Sequence, residues 1–279
     1  MKVFVTGANG QLGRSLRKLF KNGTFVDSKT FDISDKKLVS EYDFSGYDVI
    51  INAAAYTAVD AAEDNQELAR RVNVDGPRLL AVAAKKHGIT LIHISSDYVF
   101  DGTKETHTEI EAFSPLSVYG RTKADGDMAI SEETDQHYIL RSSWVVGDGN
   151  NFVRTMLSLG KKMGELSVVN DQIGRLTFAD DLALAVQHLL KTNAEFGTYN
   201  VSNTGRPASW ADIARKIFEL AGLDTQVIDT TTAEFAKGKS PFADRPHFST
   251  LDVQKLEDTG FSMPDWEVSL KNYITEQNI

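Results

Sequence analysis

Tyr119 and Lys123 lie four residues apart in the segment SVYGRTKADGD, and residues with this spacing are neighbours on one face of a helix. Taken alone the pair is weak evidence, because a half-buried tyrosine beside a solvated lysine is an ordinary helix surface. Free tyrosine has a pKa of about 10, which is too high for easy proton exchange at neutral pH. An adjacent ammonium favours the phenolate and lowers that pKa, so the pair predicts an acid–base function for Tyr119.

A hydroxyl group is expected beside this pair, from the stretch HISSDYVF. The stretch reads as the end of a buried strand, which places Ser96 and Asp97 at the carboxyl edge of a sheet. Ligands of open α/β sheets bind along that edge. Ser96 would hold the carbonyl oxygen on which negative charge develops during hydride transfer. Ser96, Tyr119 and Lys123 together predict a carbonyl-reducing site.

The elements that position these residues alternate along the first half of the chain. Unbroken apolar runs are typical of strands buried on both faces, and they occur in KVFVTG, YDVIINAAA, TLIHISS and HYILRSSWV. Helical patterns such as DGPRLLAVAAKKHG separate them. This order predicts an α/β fold with a doubly wound parallel sheet of the Rossmann type.

The alternation of strands and helices becomes less regular after residue 146, which suggests a second, smaller unit. We expect a dinucleotide-binding domain over 1–146, with 166–195 packing back onto it. Residues 196–279 together with 147–165 are expected to form a smaller C-terminal α/β substrate-binding domain. The cleft between the two units would hold the reacting groups.

A glycine loop joins the first strand to the first helix. In TGANGQLG, Gly7, Gly10 and Gly13 let the chain turn sharply and bring backbone N–H groups to a pyrophosphate at the helix end. Asp27 follows at the end of the second strand, where a carboxylate accepts hydrogen bonds from an adenosine ribose. Lys29 could instead bind the additional phosphate of NADP, so the choice between NADPH and NADH as coenzyme stays open.

Composition excludes several classes of protein. The 279 residues carry a formal charge of −9, which argues against a nucleic-acid or anionic-membrane partner. The chain has no cysteine, so thiolate catalysis and cysteine-based zinc sites are ruled out. No apolar run approaches the length of a spanning helix, and the start MKVFVTGANG lacks a secretory signal, so a cytoplasmic location is expected.

These motifs resemble the extended short-chain dehydrogenase/reductase family, and most closely its branch that reduces dTDP-4-dehydro-L-rhamnose to dTDP-L-rhamnose with NADPH or NADH. The resemblance runs nearly end to end and rests on TGANGQLG, DVIINAAAYTAVDAAE, SSDYVFDG, SPLSVYGRTKADGD, LRSSWVVG, NNFVRTML, VVNDQIGRLT and RPHFSTLD. It implies a coenzyme site made by Gly10, Gln11, Leu12, Asp32, Ile33, Ala55, Tyr56, Thr57, Tyr119 and Lys123. It implies a site for the dTDP-sugar substrate made by Ser96, Asp97, Trp144, Asn151 and Arg245.

Two departures from the family pattern bear on these expectations. The family usually has Thr where this chain has Ser96, and the hydroxyl is kept. Some relatives are described as using magnesium near the first helix, but here that helix, GRSLRKLF, has no carboxylate, so no metal site is expected. The protein could be a monomer or a homodimer.

Three other functions remain to be weighed. Dehydratases of the family usually carry Glu after the Ser/Thr–Asp pair, whereas Tyr98 follows Asp97 here, which disfavours dehydration. A related nucleotide-sugar epimerase is harder to exclude. A non-catalytic dinucleotide-binding regulatory subunit is disfavoured by the intact Ser96, Tyr119 and Lys123.

Overall fold

The computed structural model describes residues 1–276. Twelve strands occur within this range: β1 (Val3–Thr6), β2 (Thr24–Phe25), β3 (Val49–Asn52), β4 (Thr90–Ser96), β5 (His137–Ser142), β6 (Val145–Val146), β7 (Glu165–Val169), β8 (Ile173–Gly174), β9 (Thr177–Phe178), β10 (Gly197–Asn200), β11 (Ala208–Ser209) and β12 (Gln226–Thr230).

The α-helices of the described range are α1 (Gln11–Leu19), α2 (Lys36–Glu41), α3 (Val59–Asp64), α4 (Gln66–Arg70), α5 (Gly76–His87), α6 (Val118–Glu133), α7 (Phe152–Gly160), α8 (Ala179–Thr192), α9 (Trp210–Ala221), α10 (Thr232–Ala236), α11 (Gln254–Glu257) and α12 (Trp266–Glu276). A π-helical turn (Arg71–Asp75) joins α4 to α5, and a 3₁₀ turn (Asp97–Val99) follows β4.

A six-stranded sheet organises the chain, in the order β10-β5-β4-β3-β1-β2. Every neighbouring pair in it is parallel. The chain passes from β1 outward to β2 and then returns to the other side of β1 with β3, so the strand order reverses between β1 and β3. The predicted doubly wound fold is confirmed, and its topological switch point lies where ligands of such sheets bind.

Helices cover both faces of this sheet because alternate strand residues point in opposite directions. Val3 and Val5 pack in one core with Leu16 of α1 and Val186 of α8. Phe4, between the two valines, packs in the opposite core against α2 and α5. The three strand residues are at most 1% exposed, which explains why the run is apolar without alternation.

A separate core is built from later parts of the chain. It gathers α7, α9 and α12 around the β7–β12 pair, with Trp266 fully buried. Two details differ from the predicted domain boundaries. Strand β7 pairs with β12 rather than packing with the large sheet, and β10 extends the large sheet beside β5 although it lies after residue 196. The division of the chain into two domains stays a prediction.

Candidate active site

A cavity of about 810 Å³ opens at the carboxyl edge of the large sheet. It brings together most of the residues predicted to bind coenzyme or substrate. Those that line it are Gly7, Gly10, Gln11, Leu12, Asp27, Asp32, Ile33, Ala55, Thr57, Ser96, Asp97, Tyr119, Lys123 and Trp144. Gly13, Tyr56, Asn151 and Arg245 do not line it, and their surroundings are described below.

The glycine loop leaves the start of α1 open to a ligand. Gly7 has φ of +69°, and a Cβ at this position would lie 2.5 Å from the carbonyl carbon of Ala53, so only glycine fits. Gly13 is equally constrained, because its Cβ would lie 2.3 Å from the Gly7 oxygen. Gly13 therefore packs the loop from behind. Gly10 caps α1 without a side-chain hydrogen bond, which leaves N–H groups of the first turn available to an anion.

Asp27 is held in a turn at the far end of the cavity. One carboxylate oxygen accepts a hydrogen bond from Asn9 Nδ2 at 2.7 Å, and the other accepts from the backbone N–H groups of Lys29 and Thr30. The Thr30 hydroxyl and these other donors lower the pKa of Asp27. Asp27 is therefore a carboxylate at neutral pH, directed by Asn9 toward the glycine loop.

The loop after β3 is held by an asparagine that no motif singled out. Asn73, in the π-helical turn, accepts from the Tyr56 backbone N–H at 2.8 Å and donates to the Tyr56 carbonyl at 3.1 Å. Its amide also donates to Thr122 Oγ1 on α6. Tyr56 thus connects the cavity loop to α6 through its backbone, while its ring and that of Tyr119 pack against the same apolar cluster around Val118.

The start of α6 is anchored by two side chains, and this places Tyr119 beside Ser96. Ser117 caps the helix by accepting from Gly120 N–H at 3.1 Å. Glu63, at the end of α3, accepts from Val118 N–H at 2.8 Å. Because α3 follows the cavity loop, Glu63 ties the loop directly to the helix that carries Tyr119. Glu63 is a positioning residue that sequence reasoning missed, since nothing local to it signals a contact 55 residues away.

The hydroxyls of Ser96 and Tyr119 lie in a pocket where burial raises the pKa of acidic groups. Ser96 Oγ donates to Asp97 Oδ1 at 3.0 Å. Burial raises the pKa of Asp97 to about 6, although hydrogen bonds with the hydroxyls of Ser249 and Ser96 act to lower it. Burial also raises the pKa of Tyr119 to about 12, partly offset by a hydrogen bond with Ser96 and reinforced by the charges of Asp97 and Asp127.

The predicted lowering of the Tyr119 pKa by Lys123 is wrong. Lys123 does not lower the pKa of Tyr119, because its side chain turns into the sheet. Its Nζ donates to the Ile94 carbonyl at 2.7 Å and lies 3.1 Å from Nε2 of His93. Burial lowers the pKa of Lys123 itself to about 8, against the opposing charge of Asp127. Tyr119 is therefore fully protonated at neutral pH.

Two stacked indole rings form a wall of the cavity. Trp144, just after β5, lies parallel to Trp210 at the start of α9, with ring centroids 3.7 Å apart and an angle of 20° between the planes. Trp144 has φ of +46°, which is unusual for a residue with a side chain. Both rings line the cavity. Trp210 was not predicted, since its helical segment reads as ordinary core.

Asn151 and Arg245 lie outside the cavity, and both are already paired. Asn151 caps α7 and donates to the carbonyls of Gly147 and Gly149. Arg245 Nη2 contacts both carboxylate oxygens of Asp60, at 2.8 and 2.9 Å, and its guanidinium lies over the Phe242 ring. The predicted contacts of Asn151 and Arg245 with substrate stay predictions.

Residues 1–276 contain no cluster of three or more His, Cys, Asp or Glu side chains that could hold a metal ion. No helix in this range has both the length and the apolar composition needed to cross a membrane.

Comparison with known proteins reveals similarity along the entire chain. The family described as RmlD substrate binding domain matches residues 1–279. The dTDP-4-dehydrorhamnose reductase of Aggregatibacter actinomycetemcomitans is 40% identical, with 97% of each protein covered.

Two solved structures are similar throughout. A dTDP-4-dehydrorhamnose reductase of Clostridium acetobutylicum has 41% identity and a TM-score of 0.94, with 100% of both chains covered. The dTDP-4-dehydrorhamnose reductase of Bacillus anthracis, solved in complex with NADP, has 38% identity and a TM-score of 0.91, with 99% of both chains covered.

Proposed function

The chain belongs to the RmlD substrate binding domain family, and on that premise we propose that it reduces the C4 ketone of dTDP-4-dehydro-L-rhamnose to dTDP-L-rhamnose, with a hydride from NADPH or NADH. The enzyme is then an oxidoreductase that consumes one coenzyme per sugar. The observation that carries the proposal is one cavity lined both by the open start of α1 and by Ser96, Tyr119 and Lys123.

The residues present fit a dinucleotide coenzyme. The glycine loop and the free N–H groups of α1 would hold its pyrophosphate. Asp27 and Asp32 lie where the adenosine end would reach, with Ile33 beside them. Ala55 and Thr57 line the middle of the cavity and leave room for close approach of the backbone. When bound, the coenzyme supplies the hydride.

Tyr119 is the proposed proton donor to the C4 oxygen. Its raised pKa keeps the phenol protonated at neutral pH, so the proton is present when the hydride arrives. The Ser96 hydroxyl, already hydrogen-bonded to Asp97, would turn to the same oxygen and stabilise its developing charge. Lys123 would bind the coenzyme beside Tyr119, and its ammonium would favour the phenolate formed after transfer.

The wall formed by Trp144 and Trp210 supplies a flat apolar surface for the sugar. Arg245 stays part of the proposal although Asp60 occupies it, because a diphosphate offers a guanidinium the same paired oxygens as a carboxylate. Asn151 stays in the proposed substrate site only because of its position beside the loop that follows β6.

The expected partners are limited to these small molecules. The formal charge of −9 supports the absence of nucleic acid among them. A monomer or a homodimer and a cytoplasmic location stay predictions.

Coenzyme oxidation tests the proposal directly. Purified protein is incubated with dTDP-4-dehydro-L-rhamnose and either NADPH or NADH, and loss of the reduced coenzyme is compared with formation of dTDP-L-rhamnose. Equal amounts of oxidised coenzyme and product are expected. Sugar conversion without net coenzyme loss would indicate an epimerase, and coenzyme binding without turnover would indicate a regulatory subunit.

Tyr119→Phe is the matched variant for this assay. It keeps the ring and removes the acidic hydroxyl, so kcat should fall by roughly 10²–10⁴-fold while the coenzyme Kd stays nearly constant. Tyr98→Phe is the control, since its ring packs edge-to-face on Tyr119 but its hydroxyl has no proposed role in the reaction. Near-normal turnover of Tyr119→Phe would remove Tyr119 as proton donor.

A further inference from the structure

A buried row of polar side chains runs from β1 to α6 beneath the cavity floor. Thr6 Oγ1 donates to Asn52 Oδ1 at 2.7 Å, Asn52 Nδ2 lies 2.9 Å from His93 Nδ1, and His93 Nε2 lies 3.1 Å from Lys123 Nζ. The side chains of the row are at most 1% exposed. Buried polar groups are almost always hydrogen-bonded, so the donors and acceptors of the row must be matched to one another.

The hydrogen bonds of Asn52 determine which nitrogen of His93 carries the proton. Asn52 Oδ1 accepts from the backbone N–H of Ala54 at 3.2 Å as well as from Thr6. The amide nitrogen therefore faces His93 and donates to Nδ1, which must be unprotonated. A neutral imidazole carries one proton, so it lies on Nε2. Burial holds the pKa of His93 well below its ordinary value, with Lys123 and His137 acting in the same direction.

This tautomer aims an N–H group at the end of Lys123. An ammonium has three donors and no acceptor, so it cannot accept the Nε2–H of His93. A neutral amine can accept it through its lone pair and still donate to the Ile94 carbonyl at 2.7 Å. Only the amine form of Lys123 leaves every group in the row paired.

We propose that His93 is a positioning residue for Lys123, presenting Nε2–H so that the neutral amine of Lys123 is favoured before coenzyme binds and coenzyme binding takes up a proton. The role in binding rests on the proposed function, because it needs a dinucleotide in the cavity. The hydroxyl oxygens and phosphate charge of such a ligand both favour an ammonium at the lysine that lines the cavity.

The other charged groups around the row agree with this assignment. On α6, Asp127 Oδ1 lies 4.0 Å from His93 Nε2 and accepts no hydrogen bond within the described residues, while its Oδ2 accepts from Ser95 and Arg141. Burial raises the pKa of Asp127, although Arg141 opposes the shift. His137 and Arg141 face the row from β5, and Tyr119 lies on the same helix as Lys123. The Asp127 charge favours the ammonium, and burial outweighs it in lowering the pKa of Lys123 to about 8.

Nuclear magnetic resonance of the coenzyme-free protein tests the assignment without any activity measurement. In ¹⁵N-labelled protein, His93 should show an unprotonated Nδ1 and a protonated Nε2. The ¹³Cε resonance of Lys123, assigned by its loss in Lys123→Met, should titrate near pH 8 rather than near the ordinary value of about 10.5. A protonated Nδ1, or a Lys123 that titrates like an exposed lysine, would overturn the proposal.

Two variants present an acceptor to the Lys123 ammonium by different routes. His93→Gln offers Lys123 an amide oxygen, which accepts from an ammonium, so the Lys123 titration should move upward by about 1 unit or more. Asn52→Asp puts an acceptor opposite Nδ1, so the proton should move to Nδ1 and leave Nε2 free to accept from the ammonium. Asn52→Asp keeps the experiment decisive if His93→Gln fails to fold. His188→Gln, altered on the far helix α8, is the control and should leave Lys123 unchanged.

Calorimetry of NADPH binding in buffers of different ionisation enthalpy measures the proton uptake. At pH 8 about half of Lys123 is the amine, so roughly 0.5 proton should be taken up per site, rising toward 1 at pH 9. His93→Gln should reduce the uptake at pH 8 to about 0.1 proton or less, and His188→Gln should keep it. Binding without proton uptake in the wild type would overturn the proposal. Neither the resonance nor the calorimetry experiment measures reductase turnover. A failure of the proposed function would therefore appear only in the coenzyme-oxidation assay, separately from a failure of this proposal.

Discussion

Replacing Asp97 by Asn should stabilise the folded chain, relative to the wild type, as the pH rises from 5 to 8. Asp97 is 2% exposed, and burial raises its pKa to about 6 from an ordinary 3.8. A raised folded-state pKa means that the folded chain keeps the proton where the unfolded chain has lost it. The resulting stability is fully present below pH 3.8 and is lost as the pH rises through 6.

The size of the effect follows from the two pKa values of Asp97. At pH 5 the wild type still has about 1.4 kcal/mol of stability from the retained proton, and at pH 8 almost none. Asparagine does not titrate. The unfolding free energy of Asp97→Asn minus that of the wild type should therefore increase by about 1.4 kcal/mol between pH 5 and pH 8.

Equilibrium urea unfolding at both pH values, with and without the substitution, measures this difference. Asp101→Asn is the matched control, because hydrogen bonds from Thr103 lower the pKa of the Asp101 carboxyl, so neither state of the wild type titrates between pH 5 and 8. Its difference from the wild type should stay constant across that range. A constant difference for Asp97→Asn as well would show that Asp97 is ionised throughout this pH range and would refute the prediction.

Two further predictions concern the ligands. Asp27→Ala should raise the ratio of kcat/KM for NADPH to that for NADH, because it removes a carboxylate that repels the additional phosphate; an unchanged ratio would show that Asp27 does not face the ribose. Arg245→Ala should raise KM for the sugar nucleotide while the NADPH Kd stays constant, and Asp60→Ala, which frees the same guanidinium, should not raise it. Equal effects of the two substitutions on KM would mean that the Arg245–Asp60 ion pair only stabilises the fold and that Arg245 does not bind the substrate.

The architecture could be predicted because its signals are local. Val3, Phe4 and Val5 form an apolar run that only a strand covered on both faces explains, and Gly7 follows at the turn. The resulting sheet brings Ser96 and Tyr119 to the same cavity, as their places at a strand end and a helix start predicted. These inferences need only periodicity and the geometry of parallel sheets.

The supporting contacts could not be predicted, since each depends on a partner far along the chain. Glu63 contacts Val118, and His93 contacts Asn52 and Lys123, across separations that no local pattern encodes. The place of strand β10 could not be predicted either, because its pairing with β5 depends on which edge of the large sheet is still unpaired. The direction of the Lys123 side chain was decided by the Ile94 carbonyl and His93, neither of which is visible in a four-residue spacing.

The stacked rings of Trp144 and Trp210 should give the cavity wall a spectroscopic signal of its own. Two indole rings 3.7 Å apart couple their electronic transitions, and such coupling gives a paired circular-dichroism band that depends on separation and angle. Trp144 follows a strand of the large sheet and Trp210 begins α9, and both rings pack against the same core, so the band reports the geometry of this wall of the cavity. The third tryptophan, Trp266, is fully buried and gives a constant background. The unlabelled protein thus contains its own probe of whether this wall shifts when coenzyme or sugar nucleotide is added.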